Sequence, residues 1–211
     1  QLHQSDANVE ITVLCGESRL AYDRVYLSSF FSGASADDLA LTTPAQYAEW
    51  GVNVVTNALV TDIDRDNNKV TTSEGQVFSY DKLVLATGSY PFVPPIPGND
   101  QEHCLVYRTI DDLLAIEASA AVSKVGVVVG GGLLGLEAAN ALKQAGLDTH
   151  VVEFAPQLMA VQLDQAGGNV LKDKIEALGV TVHTQKATQT IEAGDTCRYK
   201  MVFADGTALE T

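Results

Sequence analysis

The chain has 211 residues, which is enough for one large domain or two small ones, each with its own hydrophobic core. Hydrophobic residues make up 46% of the chain and charged residues 19%, as in an ordinary globular protein. The formal net charge of −14 argues against binding to nucleic acid or to an anionic membrane surface, because the phosphates would repel such a chain.

Three stretches in the first half of the chain have strand-like sequences. Residues 9–15 and 81–87 are short and apolar, and each is predicted to form a strand. Residues 58–81 alternate between apolar and polar side chains and contain turn residues at 66–68 and 74–75. This pattern predicts a small antiparallel meander with tight turns.

A change of pattern separates the two halves of the chain. Residues 93–100, VPPIPGND, have the Pro and Gly content of a linker, and residues 109–119 are predicted to form a helix. From Val125 onward, aliphatic strands alternate with helices in the order VGVVV, LLGLEAANALKQAG, THVVEF, AGGNVLKDKIEALG and VTVHT. Gly146 and Gly179 stand where these helices should end. The alternation predicts a parallel sheet with crossover helices.

A weak internal repeat relates residues 58–88 to residues 187–211. The first copy continues into the strand LVLATG, whereas the second copy stops short of such a strand. Conversely, the second half opens with a strand, glycines and a helix, and the first half opens at what would be its second strand. We therefore expect a fragment with an α/β fold of two Rossmann-like dinucleotide-binding units, both truncated. Residues 1–102 would lack the first strand and glycine loop, and residues 103–211 the last strand.

Three glycines between a predicted strand and a predicted helix form the pattern GxGxxG: Gly130, Gly132 and Gly135. In a dinucleotide-binding unit the first glycine makes the tight turn, the second admits the pyrophosphate, and the third lets helix and strand pack closely. The backbone N–H groups of Leu133 and Leu134, at the start of the helix, would then face the phosphates.

An acidic residue, Glu153, ends the next predicted strand, 18 positions beyond Gly135. At this place a carboxylate accepts hydrogen bonds from the adenosine ribose hydroxyls. Phe154 and Ala155 follow, so no arginine stands next to Glu153 to receive a 2′-phosphate, and the motif predicts a preference for NADH over NADPH. The alternative is a glycine-rich packing turn beside a surface glutamate, which the combination of strand, helix and acid disfavours.

The cysteines and histidines show no metal-binding or disulfide pattern. Cys15, Cys104 and Cys197 lie far apart without a CxxC, which predicts unpaired thiols in a reducing cytoplasm. The histidines are widely spaced without an i, i+4 pair, and they are predicted to be surface or strand residues and not metal ligands: His3, His103, His150 and His183. No apolar run reaches the roughly 18 residues of a membrane-spanning helix, and no membrane association is expected.

The stretch LVLATGSYPFVPPIPG, residues 83–98, carries a second motif. A hydrophobic strand that ends in Ala-Thr-Gly and continues into a Pro-rich crossing resembles the ATG motif of the two-dinucleotide flavoproteins, the family of pyridine nucleotide-disulfide oxidoreductases. The resemblance covers essentially the whole chain. It implies that residues 1–102 bind FAD, that residues 103–211 bind NAD, and that hydride passes from nicotinamide to flavin between them.

Four longer stretches narrow the resemblance: ITVLCGESRLAYDRVYLSSFFSG, GSYPFVPPIPG, VYRTIDDL and HVVEFAPQLMAVQLDQAGG. They are similar to the flavoprotein subunits of assimilatory NADH-dependent nitrite reductases. This resemblance implies electron flow from NADH through FAD to a 4Fe-4S cluster and sirohaem in later domains outside these 211 residues. It also implies a homo-oligomeric full-length protein that works with these downstream redox domains and with a small subunit. The fragment alone is expected to be inactive and to bind FAD poorly.

The resemblance also assigns individual residues to the two cofactors. The residues expected to contact FAD are Arg24, Ser29, Val60, Ala86, Thr87, Gly88 and Arg108. Arg108 would neutralise a phosphate. Glu137, two positions after the third glycine, is expected between nicotinamide and flavin. For Arg24, Val60 and Thr87 the alternatives are a surface ion pair, a core side chain and a capping hydroxyl.

Two positions depart from the family pattern. The acid expected to hold the FAD ribose aligns with Gly16, and Glu17 is expected to serve in its place. Ser29 stands where relatives carry a lysine or a cysteine, so no thiol nucleophile is available there. Electrons are therefore expected to leave the flavin for a downstream or external acceptor, and no catalytic residue is assigned.

Two other functions remain open on the sequence alone. A reductase that serves a ferredoxin or rubredoxin would use the same two cofactors and would differ only in its electron acceptor. A non-catalytic interaction module would hold NAD without electron transfer.

Overall fold

The computed structural model describes residues 8–211, and of the residues named above only His3 lies outside this range. The chain contains helices together with both parallel and antiparallel β-sheets, as a mixed α/β fold requires. Within the described range, no helix combines the length and the apolar character needed to cross a bilayer.

The chain folds as two compact units. The first comprises the residues up to Val25 together with Ser35–Ser89, and the second comprises Tyr26–Ala34 together with Tyr90–Thr211. The division predicted between residues 102 and 103 stays a prediction.

The first unit contains a two-stranded parallel sheet. Strand β1, Ile11–Leu14, pairs with β2, Val52–Val55, along its whole length. Helix α1, Pro44–Glu49, leads into β2. Thr43 and Gln46 form a capping box at the start of this helix, which satisfies two backbone N–H groups that the helix cannot pair internally. The predicted strand at 9–15 is thus present in shorter form.

An antiparallel meander forms the rest of the regular structure in this unit. Strands β3, Val60–Asp64, β4, Lys69–Thr72, and β5, Val77–Ser79, pair in that order. The β3–β4 turn is held by the carboxylate of Asp64, which accepts the backbone N–H of Asn67 at 3.0 Å. The meander and the positions of its turns agree with the sequence prediction.

The predicted strand at 81–87 is absent. Residues 81–93 are exposed and have no regular secondary structure, and Val84 and Leu85 are 79% and 65% exposed. A strand of a parallel sheet exists through hydrogen bonds to its neighbours, and none of the described strands pairs with this stretch. Apolar sequence alone therefore did not produce a strand here.

The second unit begins with a short 3₁₀ helix and the linker. The 3₁₀ helix is Leu27–Ser32, and helix α2 is Ile110–Ala120, one residue displaced from its predicted bounds. Thr109 caps α2 in a capping box with Asp112, which fixes the start of the helix.

The predicted linker is tied to a strand of the same unit. Pro97 accepts the backbone N–H of Ile191 at 2.9 Å, and the side chain of Gln101 donates to the carbonyl of Ile191 at 2.7 Å. Gly98 has a φ of +88°, and a Cβ there would lie 2.0 Å from that same carbonyl oxygen. The linker therefore approaches the strand closely at a position that requires glycine.

A three-stranded parallel sheet forms the centre of this unit. Strands β6, Val125–Val129, β7, Asp148–Val152, and β8, Val180–His183, are adjacent in chain order. The crossover helices are α3, Leu133–Gln144, and α4, Gln165–Ala177. This is the strand–helix alternation that the sequence predicts.

Gly146 and Gly179, just beyond the ends of α3 and α4, have φ values of +88° and +84°, which confirms their predicted role as helix stops.

The core of the parallel sheet lies against its two helices. The buried side chains of this core cluster are aliphatic: Ala139, Val151, Leu158, Val180 and Val182.

Three antiparallel strands complete the unit. They are β9, Thr188–Ala193, β10, Tyr199–Phe203, and β11, Ala208–Glu210, with β10 in the middle. Met201 and Phe203 of β10 are buried with Val152 of the parallel sheet in a second core cluster. The meander that the internal repeat predicts at 187–211 is therefore present.

Candidate functional site

The glycine turn after β6 has the conformation that its spacing predicts. Gly130 has a φ of +116° and donates its backbone N–H to Val152 of the adjacent strand at 2.8 Å. A Cβ on Gly135 would lie 1.9 Å from the carbonyl oxygen of Gly130, so only glycine allows the helix to approach the turn this closely. A Cβ on Gly132 would meet no atom within 4 Å. A Cβ on Gly130 would likewise meet no atom within 4 Å, so the turn is open at its first and second glycines.

The start of helix α3 is open to solvent. Gly132 is its N-cap and supplies no side-chain cap, while Leu133 and Leu134 are 62% and 56% exposed. The first backbone N–H groups of a helix have no partner within the helix, and they carry the positive end of its dipole. An anion placed over Gly132 would therefore be stabilised by these groups.

The carboxylate of Glu153 lies against the glycine turn. Its two oxygens accept the backbone N–H groups of Gly131 and Ala155, each at 2.6 Å. The backbone N–H of Glu153 donates to the carbonyl of His183 on β8 at 2.8 Å. The chain thus brings together the glycine turn, the helix start and the acid, which are the three parts of the predicted dinucleotide motif.

A tyrosine that the sequence motifs did not point to lies near Glu137. The hydroxyl of Tyr107 is buried and has no hydrogen-bond partner among the described residues. Burial, and then the negative charge of Glu137, raise the pKa of Tyr107 to about 12, so the hydroxyl keeps its proton at neutral pH. Its ring stacks on Phe31, with centroids 6.5 Å apart. The only sequence signal was its place directly before Arg108.

In the first unit, Glu17 and Arg24 meet directly. The guanidinium of Arg24 donates to the carboxylate of Glu17 and, at 2.7 Å, to the hydroxyl of Tyr22, which in turn donates to Glu17 at 2.7 Å. The guanidinium also lies over the Tyr22 ring, 4.6 Å from its centroid. Although desolvation opposes it, the hydrogen bond to Glu17 and the neighbouring charges raise the pKa of Arg24. Tyr22, 8% exposed, is the member of this cluster that the sequence motifs missed.

A tight turn surrounds Gly16, the position of the expected ribose-binding acid. A Cβ on Gly16 would lie 3.1 Å from a methyl carbon of Leu59, closer than most side-chain contacts. The next residue, Glu17, lies in the same turn, and its carboxylate is half-exposed. The assignment of Glu17 in place of the expected ribose-binding acid stays a prediction.

The remaining predicted FAD residues lie in separate parts of their units. Val60 opens β3 and is half-buried, and Ala86, Thr87 and Gly88 belong to the exposed irregular stretch, with a φ of +67° at Gly88. Arg108 precedes the α2 cap, where its backbone N–H donates to Asp112 at 3.1 Å. Ser29 lies in the 3₁₀ helix and donates its hydroxyl to the carbonyl of Tyr26 at 2.7 Å.

No cluster of three or more histidine, cysteine, aspartate or glutamate side chains with metal-binding geometry occurs within residues 8–211. Cys15, Cys104 and Cys197 are unpaired thiols. Burial raises the pKa of both Cys15 and Cys104, which keeps these two thiols protonated.

Comparison with known proteins places these features in a family. The family model described as pyridine nucleotide-disulphide oxidoreductase matches residues 1–211. The chain is 54% identical to the nitrite reductase (NADH) large subunit of Escherichia coli (strain K12), over 99% of this chain and 25% of that protein. It is 38% identical to the nitrite reductase [NAD(P)H] of Bacillus subtilis (strain 168), over 95% of this chain and 25% of that protein. The chain therefore spans about a quarter of the length of these relatives.

Solved structures show the same fold. The ferredoxin reductase for the CYP199A2 system of Rhodopseudomonas palustris is 26% identical, with a TM-score of 0.89, over 99% of this chain and 52% of that one. The water-forming NADH oxidase of Lactobacillus brevis, solved with NADH bound, is 25% identical, with a TM-score of 0.87, over 97% of this chain and 46% of that one. The predicted fold class is confirmed, as is an oxidoreductase class that uses FAD and NAD(P)H. The chain belongs to the pyridine nucleotide-disulphide oxidoreductase family.

Proposed function

We propose that this chain is the electron-entry module of an NADH-dependent nitrite reductase, which accepts hydride from NADH and passes electrons through FAD. The observation that carries the proposal is the contact of Glu153 with the glycine turn at Gly131, because it joins a phosphate site to a ribose site. The names of the relatives from Escherichia coli and Bacillus subtilis support nitrite as the final acceptor.

NADH would bind to the second unit. Gly130 and Gly135 shape the turn, Gly132 leaves room for the pyrophosphate, and the N–H groups of Leu133 and Leu134 stabilise its charge. Glu153 would keep its hydrogen bonds to the turn and accept further bonds from the ribose hydroxyls at the remaining lone pairs of its oxygens. A 2′-phosphate at the same place would meet the carboxylate, so NADH would be preferred over NADPH.

FAD, when bound, accepts a hydride and releases electrons one at a time. The proposed contacts are Glu17, Arg24, Ser29, Val60, Ala86, Thr87, Gly88 and Arg108, with Glu137 between the two cofactors. The Arg24 guanidinium, fixed by Glu17 and Tyr22, supplies positive charge, and the exposed backbone of residues 86–88 admits close approach.

The electrons would leave FAD for metal centres in other domains of the same protein. Ser29 supports this direction, because a serine hydroxyl cannot relay electrons as a cysteine thiol does. We propose a 4Fe-4S cluster and sirohaem in downstream domains as acceptors, a small subunit as a partner, and a homo-oligomer in the cytoplasm.

Anaerobic stopped-flow mixing of the full-length protein with NADH tests the proposal. Rapid bleaching of the flavin, followed by nitrite-dependent reoxidation, is the expected result. Bleaching without reoxidation by nitrite would favour a ferredoxin or rubredoxin reductase, an alternative that the ferredoxin reductase fold supports. Absence of bleaching would contradict both enzymes and leave a non-catalytic NAD-binding module.

A further inference from the structure

Two histidines on adjacent strands of the parallel sheet form an imidazole pair. Nδ1 of His150 on β7 lies 3.0 Å from Nε2 of His183 on β8. The ring planes differ by 16°, and the centroids are 5.3 Å apart. This separation equals the N–N distance plus about one ring diameter, so the rings meet edge to edge in a common plane. The geometry is that of a single N–H···N hydrogen bond.

The head-on arrangement favours a proton over a metal ion between the rings. Two metal–nitrogen bonds of about 2.0–2.1 Å in line would need nitrogens roughly 4 Å apart, well beyond the observed 3.0 Å. One ring must donate and the other must accept. A neutral pair and a pair with one positive charge both satisfy this requirement, whereas a pair protonated on both rings has two donors facing each other and no acceptor.

The charged groups around the pair disfavour a proton on His183. Asp148 lies 3.6 Å from the far nitrogen of His150. Burial lowers the pKa of His183, as do His150, Lys186 beyond the end of β8, and Lys172 of α4, while Glu176 of α4 raises it. Protonation of His183 therefore occurs below the ordinary histidine range.

The pair is connected to the proposed NADH site through the backbone. The carbonyl of His183 accepts the N–H of Glu153 at 2.8 Å, and the carbonyl of Glu153 accepts the N–H of Lys186 at 3.0 Å. Glu153 in turn holds the N–H of Gly131 in the glycine turn. A change in the separation of β7 and β8 at the histidines is thus transmitted directly to the ribose-binding carboxylate.

We infer that the His150–His183 pair is a positioning element for Glu153 and that it makes binding of the pyridine nucleotide proton-linked. The inference rests on the proposed function, since the two histidines would act on the same nucleotide site through Glu153. Uptake of a second proton breaks the N–H···N bond, separates the strand ends and displaces Glu153 from the turn. Nucleotide binding therefore favours a pair with at most one positive charge, and it releases a proton when it begins from the pair protonated on both rings.

Calorimetric titration of the oxidised full-length holoenzyme with NAD⁺ tests this inference, because NAD⁺ binds without reducing the flavin. The titrations run from about pH 5 to 8 in two buffers with different heats of ionisation, which reports the protons released on binding. For the wild type we expect the affinity to fall once the pH drops below the ordinary histidine range, by at most about tenfold per pH unit, with release of up to one proton. His183→Gln should remove both effects, because glutamine cannot take up the proton.

Two further variants serve as controls. His150→Gln should abolish the proton release in the same way, and it keeps the test available if His183→Gln does not fold. His103→Gln is the matched control, since His103 is also half-buried, bonds to Ser119 at 2.8 Å and lies 3.6 Å from Glu102. It should leave the pH dependence unchanged.

The outcomes separate the two ideas. Binding of NAD⁺ that is independent of pH, or pH dependence that survives both His183→Gln and His150→Gln, overturns the histidine inference and leaves the proposed function standing. No binding of NAD⁺ at any pH contradicts the proposed function itself.

Discussion

At the scale of single residues, two glycines of one motif have different physical roles. A Cβ on Gly135 would overlap the carbonyl oxygen of Gly130, whereas a Cβ on Gly132 would extend into open space. The first constraint belongs to folding, and the open space at Gly132 is the proposed position of the pyrophosphate. An alanine at Gly135 should therefore affect the stability of the fold, and an alanine at Gly132 should affect the affinity for NADH.

We expect Gly135→Ala to lower the free energy of unfolding by about 1–3 kcal/mol, because helix α3 must move away from the turn. Gly132→Ala should change stability by less than about 1 kcal/mol, since its backbone angles suit any residue. It should nevertheless weaken NADH binding, because the new methyl occupies the pyrophosphate position. Urea unfolding and NADH titration of both variants check this pair, and equal stability of the two variants would contradict it.

Replacement of Glu153, the proposed ribose-binding residue, should change the preference for NADH over NADPH. For Glu153→Ala we expect the difference in binding free energy between NADH and NADPH to narrow by about 1–3 kcal/mol, the scale of a hydrogen bond to a charged group. Parallel titrations with the two nucleotides give this difference. Glu117→Ala on the exposed face of α2 is the control. An unchanged preference in the Glu153 variant would remove the role assigned to its carboxylate.

At the scale of elements, one carboxylate holds a loop of the antiparallel sheet. Glu210 on β11 accepts the backbone N–H groups of Cys197, Thr196 and Asp195, which lie in the loop between β9 and β10. These bonds lower the pKa of Glu210 from 4.5 to about 2. The loop conformation depends on this carboxylate, since three adjacent N–H groups otherwise face solvent.

The low pKa of Glu210 predicts a pH-dependent contribution to stability. Because the folded-state pKa lies below the unfolded value, the stabilisation is complete above pH 4.5 and is lost as the pH falls toward about 2. Glu210→Gln should therefore lower the melting temperature at neutral pH and match the wild type near pH 2. Melting curves across this range test the prediction, with Glu74→Gln in an exposed turn as the control. A constant difference at all pH values would argue against it.

At the scale of the whole molecule, one apolar stretch is left on the surface. Val84, Leu85, Tyr90 and Phe92 are all between 65% and 86% exposed. Exposed apolar side chains in one short stretch of chain are typical of a segment that another element or partner covers. Since the chain spans about a quarter of its long relatives, more chain is available in those proteins to cover the corresponding stretch.

We expect the 211-residue chain to bind the dye ANS at this stretch. The double variant Val84→Ser/Leu85→Ser should reduce ANS fluorescence without lowering the melting temperature, because these side chains bury little surface. Leu113→Ser is the contrasting variant: Leu113 is fully buried in α2, and its replacement should lower the melting temperature. Unchanged ANS fluorescence in the double variant would refute the assignment.

The sequence by itself determined the elements whose signals are local. Helix starts follow from Thr109 and the glycine N-cap, helix stops from Gly146 and Gly179, and the alternation after Val125 specifies parallel strands with crossover helices. The nucleotide motif was also readable, because its glycines and Glu153 occur at characteristic spacings. These features depend on backbone angles and periodicity within a few residues, which the order of amino acids dictates.

Only the tertiary structure decided features that depend on residues distant in the chain. The apolar stretch at 81–87 was predicted as a strand and is not one, because a strand needs a neighbour that local sequence does not reveal. Tyr22 joins Glu17 to Arg24, and His150 meets His183 across two strands, through packing that no spacing rule predicts. Side-chain partners of this kind are set by the register of the strands, and so they became visible only when the sheet was assembled.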